Sequence, residues 1–335
     1  MKRTLQIMIF LLPVLVIGSF VKTGINGYSR ARFEDLVEGR AFRPYVERPL
    51  IPFLVRNLSA AVPSALARDI DNWAGPRIPE LSVDRPEICF THLLISAALW
   101  YASIVGFAFC LMKLTRAFYD SADSAFLGIA VAAVAGLPTF FLYNSYIYDF
   151  SQLFLFTVCL LSLAKREWIR FILLFALASW NKETAILLTV IFAIQYRRLL
   201  PRASFLGLLG IQLATYSAIR IIIFRATAGN PGLPVELHIS HNLLLAPYSM
   251  GQFAAFTAIV ILTIYDWGNK PLFFRNGLAI AIPMIILAFL FGYIDEYRDF
   301  YELYPVIVLL TAHTVVKHIL KLPFEVRAVC ATQQG

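Results

Sequence analysis

The chain has 335 residues, of which 59% are hydrophobic and only 15% charged. Soluble domains run nearer half apolar and a quarter charged, so composition, with a mean hydropathy of +0.70, excludes a soluble enzyme and describes a single integral membrane domain over 1–335. The net charge of +8 does not imply nucleic acid, because Lys and Arg stand in short clusters between apolar runs, the pattern of the positive-inside rule.

Met1-Lys2-Arg3 precedes an apolar run from Leu5 to Phe20. A signal peptide would begin this way, but the run is long for one and no small-residue cleavage site follows. An uncleaved first helix over roughly 5–22 is the expectation. Residues 23–88 form a first extracytoplasmic loop. Apolar residues from Leu50 to Leu66 recur there with helical spacing, as in amphipathic helices lying in the membrane interface.

Further apolar runs begin near Ile88, Ala125, Ser151, Phe171, Ala185, Ser204, Gln252, Gly277 and Tyr301. Basic clusters follow several of them: Lys113/Arg116, Lys165/Arg166/Arg170, Arg197/Arg198/Arg202, Lys270/Arg275 and Lys317/Lys321. All are assigned to the cytoplasm together with Lys2 and Arg3. The clusters at 165–170 and 197–202 must then lie on one side. One straight helix between them would separate them and bury Lys182 and Glu183 near mid-membrane, which is costly. Two short helices meeting at Asn181-Lys182-Glu183-Thr184 satisfy both constraints, in a thinned bilayer or a protein-lined cavity. The alternative is one long tilted helix with a buried Lys182–Glu183 pair.

The expected fold class is an all-α polytopic transmembrane bundle of about ten passages, some short or re-entrant, with both termini cytoplasmic. Residues 322–335 would be a short cytoplasmic tail. Cys89, Cys110, Cys159 and Cys330 are scattered without metal-ligand spacing. No internal repeat is visible, which weakens a transporter built from inverted halves.

This topology gathers the remaining polar clusters on the outer side. Asp149 closes the aromatic segment Tyr146-Ile147-Tyr148, Glu183 sits at the junction of the short helices, and Glu296 and Arg298 precede the last helix. Ionisable groups at such depths tend to face a cavity, while interfacial solvation is the plain alternative. Asp295, Asp299 and Glu302 are read as solvated. Arg43 and Arg48 flank a Pro-rich stretch, and their planar guanidinium groups suit phosphate; anionic lipid head groups would suit them equally. Arg220 and Arg225 are explained as well by snorkelling. Glu34 and Asp35 offer a carboxylate for proton abstraction. His238 and His241 lack a third ligand, so no metal site is assigned. There is no Walker motif, dinucleotide fingerprint or nucleophile elbow.

These features together resemble the multi-pass glycosyltransferases of the C superfamily. The resemblance rests on the acidic first outer loop with Glu34 and Asp35, on Tyr148-Asp149 at an outward helix end, on Asn181-Lys182-Glu183-Thr184, and on Glu296-Tyr297-Arg298 before the last helix. It implies transfer of a sugar from a polyprenyl-phosphate donor to an acceptor on the extracytoplasmic face of the plasma (inner) membrane. Asp35 would be the base, with Asp149 or Glu183 next. Arg43, Arg48, Lys182 and Arg298 would hold the departing phosphate, and Glu34 and Glu296 would line the substrate site. No cofactor is needed, although a divalent metal is compatible, and the partners are the lipid-linked sugar and the bilayer. The rival readings are a lipid-linked glycan polymerase, ligase or flippase, a secondary transporter using intramembrane carboxylates, and a non-catalytic envelope scaffold.

Overall fold

The structure is a computed structural model that describes residues 2–25, 28–77, 88–141, 146–245 and 249–327. Tyr143-Asn144-Ser145, residues 26–27 and 78–87 of the expected first loop, and residues 328–335 of the expected tail lie outside the described residues. The fold is almost wholly helical. In chain order the helices are α1 (Lys2–Gly24), α2 (Phe33–Glu38), α3 (Leu50–Ala60), α4 (Ser64–Ala74), α5 (Phe90–Phe118), α6 (Asp123–Gly136), α7 (Asp149–Ala164), α8 (Trp168–Asn181), α9 (Leu187–Tyr196), α10 (Arg202–Ala226), α11 (Met250–Ile264), α12 (Leu272–Gly277), α13 (Ala281–Phe291) and α14 (Tyr304–Thr314).

Among the described residues, five helical stretches are long and apolar enough to cross a membrane: Lys2–Lys22, Phe90–Phe118, Asp123–Phe140, Arg202–Ala226 and Leu272–Phe291. A sixth candidate is α3 with α4, bent by 111° between Ala60 and Ser64. Pro63 sits in that break with an extended backbone, ψ 136°. It has no N–H to continue α3 and disfavours helix at the residue before it. Exposed Trp73 on α4 stacks under the Arg77 guanidinium at 4.9 Å, a pairing suited to an interface. Five further apolar helices are shorter: Asp149–Ala164, Trp168–Asn181, Glu183–Tyr196, Met250–Ile264 and Tyr304–Ile319.

Packing centres on α5, α7 and α1. Phe20 of α1 meets Trp100 of α5 edge-on at 5.0 Å and lies 4.5 Å from Phe150 of α7. The Trp100 indole donates to the Ile147 carbonyl at 2.8 Å, so this large residue is buried without an unpaired N–H. Large apolar side chains of α10, α11 and α13 point outward, among them Ile222, Phe253 and Ile282. In water that would be a liability; in lipid it costs nothing.

The basic clusters converge on one end. Asp123, at the start of α6, pairs with Lys2 at 2.7 Å and with Arg116 at 3.0 Å. Tyr119–Asp120 (β1) pairs antiparallel with Glu325–Val326 (β2), and Arg327 reaches Asp120 at 2.7 Å. Part of the expected tail is therefore a strand packed on the bundle.

The chain also turns back at Lys182. α8 stops at Asn181, Lys182 is extended (φ −157°, ψ 143°), and a 3-10 turn over Glu183–Ile186 leads into α9. Trp168 at the start of α8 meets Tyr196 at the end of α9 at 5.1 Å, and the Tyr196 hydroxyl donates to the Leu163 carbonyl at the end of α7. The basic stretches after α7 and after α9 thus share an end, as two short helices require and one long helix forbids.

Candidate functional site

The opposite end collects five segments: the loop around Arg43–Arg48, the start of α7, the α8–α9 turn, the stretch of α10 around Tyr216 and Arg220, and the loop before α14. Asn181 is the pin. Its amide donates to the Tyr148 carbonyl at 3.2 Å and to Gln152 Oε1 at 3.1 Å, and it accepts from Ser151 Oγ at 2.9 Å. Buried polar groups need such partners. With both ends of its amide used, Asn181 ties the end of α8 to the start of α7 and directs the chain into the extended Lys182.

Lys182 is buried, with Nζ 3.3 Å from Glu302 Oε1. The same oxygen accepts from Gln152 Nε2 at 3.2 Å and from the Thr184 hydroxyl. Glu302 has no exposed surface, and its Oε2 has no hydrogen-bond partner. Glu302 and Asp295 were expected to be solvated; both are buried, Asp295 beside His241 at 3.3 Å.

Arg48 forms a two-pronged pair with Glu183, Nε to Oε2 at 3.1 Å and Nη2 to Oε1 at 2.5 Å. Its third nitrogen donates to the Tyr148 hydroxyl at 2.5 Å. The fork geometry of Arg matches a carboxylate in this way and would match a phosphate equally. The Tyr216 hydroxyl of α10 donates to the Glu183 carbonyl at 3.0 Å. One turn along α10, Arg220 donates to Glu47 at 2.9 Å (backbone oxygen) and 3.0 Å (Oε2).

Glu47 also receives Arg43 Nε at 2.7 Å. Arg43 Nη2 is buried without a partner, and the guanidinium lies 4.3 Å from the Phe224 ring centre. Two arginines thus share one carboxylate. Beside them runs a groove of about 300 Å³ lined by Glu47, Arg220, Ile221, Phe224 and Arg225.

Arg298 and Glu296 form a second two-pronged pair, at 2.6 and 3.1 Å, above the Tyr146 ring, whose centre lies 4.1 Å from the guanidinium carbon. Burial raises the Glu296 carboxyl above its usual range, Arg298 opposing this and Asp299 and Asp149 adding to it. Asp149 opens α7, and its Oδ2 accepts the Tyr146 backbone N–H at 3.0 Å. Its Oδ1 is buried with no hydrogen-bond partner and lies 3.9 Å from Arg298 Nη1. Tyr28, Tyr45, Tyr146 and Tyr148 form a continuous aromatic line, with successive centroids at 5.4, 5.3 and 5.6 Å.

Arg48, Asp149, Lys182, Glu183, Glu296 and Arg298 therefore come together, and Arg43 joins them through Glu47 and α10. Glu34 and Asp35 have other partners. Glu34 Oε1 accepts the Cys89 N–H at 2.7 Å, at the start of α5, and Oε2 pairs with His92 Nδ1 at 2.7 Å. Such a carboxylate satisfies free N–H groups and the helix dipole. Glu38 approaches the same two residues closely enough for Glu34, Glu38 and His92 to form a metal-competent group. Asp35 is partly exposed, and Arg40 lies 3.7 Å from it. His238 and His241 both pack on Tyr293, at 4.5 and 4.2 Å. Glu47 and Gln152 are site residues that sequence reasoning did not single out; Arg220 was read as explained equally well by snorkelling and Glu302 as solvated.

Comparison with protein-family models, with curated proteins and with solved structures finds no match for this chain.

Proposed function

We propose that this protein is a membrane glycosyltransferase that moves a sugar from a polyprenyl-phosphate donor to an acceptor on the extracytoplasmic face. The observation that carries the reading is the confluence of two Arg-lined carboxylate pairs, Arg48–Glu183 and Arg298–Glu296, around the unpartnered Asp149 Oδ1. A phosphate leaving group needs fixed cations, and an attacking hydroxyl needs a positioned base.

In this reading the five long helices and five shorter ones give about ten passages, with α8 and α9 as a paired, half-crossing hairpin. Both termini lie on the cytoplasmic side with the basic clusters. The lipid carrier enters along the exposed apolar face of α10, and its phosphate meets Arg220, Arg225 and Arg43 at the groove. Asp149 takes the proton of the acceptor hydroxyl, and that oxygen attacks the anomeric carbon. The bond from that carbon to the phosphate oxygen breaks, and the polyprenyl phosphate leaves with its charge held by Arg298, Arg48 and Lys182. Geometry favours Asp149 over Asp35 as the base, because Asp149 is buried among these cations and keeps one oxygen free.

The test is transfer by the purified chain in liposomes, supplied with radiolabelled polyprenyl-phosphate hexoses and pentoses. Wild type releases free polyprenyl phosphate in step with sugar loss, and Asp149→Asn does not. Full activity in Asp149→Asn would overturn the assignment of the base; no consumption of any donor by wild type would overturn the reading as a whole. The buried Lys182–Glu302–Gln152 group favours a second reading, a transporter in which Glu302 carries a proton or cation. That reading requires ion-dependent flux in liposomes free of lipid-linked sugar.

A further inference from the structure

At the opposite end of the bundle, a second cluster of ionisable groups takes no part in the proposed transfer. Asp266 lies in the turn between α11 and α12, and His313 and His318 lie at the end of α14. Asp266 Oδ2 is 3.3 Å from His313 Nε2 and 2.7 Å from His318 Nε2. One ligand atom from each residue lies within 4.8 Å of the other two. We propose that Asp266, His313 and His318 form a binding site for a divalent transition-metal ion of the zinc type.

The donor set fits such an ion. Zinc takes imidazole nitrogen and carboxylate oxygen at about 2.0–2.2 Å, which sets ligand atoms of a tetrahedron roughly 3.3–3.5 Å apart. The Asp266–His313 separation already has that value, and the Asp266–His318 pair, now at 2.7 Å, has to open by about 0.6–0.8 Å to reach it. Two imidazoles and one carboxylate leave a further position for water. Half-exposed His318 provides the open side, whereas His313 is fully buried.

Local structure is bent to make this triangle. His313 and His318 are five residues apart, which on a regular α-helix separates them by about 140°. A π-turn over Val315–Ile319 intervenes and brings both rings to one carboxylate. Such turns are rare and gather at functional sites. Asp266 itself has φ 56°, the left-handed region that non-glycine residues seldom occupy.

Outer partners orient the donors. The Asn269 amide donates to Asp266 Oδ1 at 2.6 Å, leaving Oδ2 for the two histidines. Tyr265 meets the His318 ring edge-on at 5.2 Å, and Tyr119 packs on His313 at 5.7 Å. Asn269 is the hydrogen-bonded kind of outer partner common around metal ligands, whereas the two histidines are held by ring packing and His313 Nδ1 is buried without a hydrogen-bond partner. The nearby cation Lys270 is directed elsewhere. Its ammonium donates to the carbonyls of Leu262, Thr263 and Leu310 at 2.8, 2.7 and 2.7 Å and contacts Thr314 Oγ1 at 2.9 Å. Lys317 leans toward Glu325 at 3.8 Å. An ion here would clamp the α11–α12 turn to the end of α14 and so fix how these helices meet.

The experiment uses the full chain, purified without an oligohistidine tag, treated with chelator and titrated with Co²⁺ and then Zn²⁺. Wild type takes up one ion per chain, Co²⁺ shows the ligand-field bands of a four-coordinate nitrogen/oxygen site, and Zn²⁺ abolishes them. His318→Ala and Asp266→Asn each weaken binding by more than about tenfold, the scale on which even outer partners act. Absence of a stoichiometric Co²⁺ spectrum in wild type overturns the proposal, as does wild-type affinity in both variants. His318→Gln takes the place of a variant that does not purify as a monodisperse protein, and His92→Gln, which removes a ligand of the Glu34–Glu38–His92 group, should leave the Co²⁺ spectrum unchanged; its loss in His92→Gln would overturn the assignment.

Discussion

Arg48 and Glu183 stand 135 residues apart in the chain and meet through two parallel hydrogen bonds, at 3.1 and 2.5 Å. The pair ties the segment between α2 and α3 to the α8–α9 turn. Removing one partner leaves the other charge poorly solvated. For a fully buried pair that costs about 3–5 kcal/mol; Glu183 keeps about a third of its side-chain surface exposed, so about 1–3 kcal/mol is expected here. Arg48→Met and Glu183→Gln should each lower the melting temperature in detergent. Arg48→Lys should restore little, because a point charge cannot reproduce the fork. Equal melting temperatures for Arg48→Lys and wild type would show the fork to be unimportant.

Asp149 and Asp35 separate the candidates for the base. Asp149→Asn keeps the acceptor for the Tyr146 N–H and loses only the charge, so the fold should survive. Sugar transfer should fall by roughly 10²–10⁴, the usual scale for loss of a general base. Asp35→Asn should change transfer by less than about threefold under the same saturating donor, since general-base loss of that scale requires contact with the reacting proton. The reverse order of the two variants would move the base to the first outer loop.

Much of the architecture was legible because membrane burial leaves a coarse signature. The long apolar runs marked α1, α5, α6 and α10, and the rule for basic residues favoured a turn at Asn181–Thr184 over one long helix. Topology placed Arg48, Glu183, Asp149 and Arg298 on one side, but it placed Glu34 and Asp35 there with them, and these two have other partners in the fold. What the sequence hid is partner choice. Glu34 reads as a loop carboxylate, yet it is taken up by the start of α5 and His92. Glu302 reads as a solvated end residue, yet it is enclosed by Lys182, Thr184 and Gln152. Both outcomes depend on contacts between segments more than 50 residues apart in sequence, which no local pattern encodes. The Asp266–His313–His318 triangle was hidden for a related reason, since helical spacing assigns His313 and His318 to different faces unless the π-turn is known.

Lys182 and Glu302 lie 3.3 Å apart, with side-chain exposures of 5% and 0%. Glu302→Gln retains the acceptor oxygen for Thr184 and Gln152 but leaves Lys182 buried without its counter-charge. A loss of about 3–5 kcal/mol is expected on that ground, read as a lower melting temperature. The double variant Lys182→Met/Glu302→Gln should recover part of it, because no buried charge is left alone. If the double variant melts below Glu302→Gln, Lys182 must be held by something other than Glu302.

Glu296 sets a pH dependence whose sign can be worked out. Its carboxyl is raised above its ordinary value of 4.5 by burial, with Asp299 and Asp149 adding to the effect against Arg298. A carboxylate raised on folding is fully tolerated only when protonated. Its ionised form therefore subtracts stability above the folded value, and that loss disappears as pH falls below 4.5. Glu296→Gln mimics the protonated form at every pH. The melting temperature of Glu296→Gln minus that of wild type should accordingly rise with pH from 4.5 upward and level off once Glu296 is fully ionised in the fold. A difference that falls over this window would mean that the Arg298 pairing outweighs burial, and that Glu296 is a stabilising anion near neutrality.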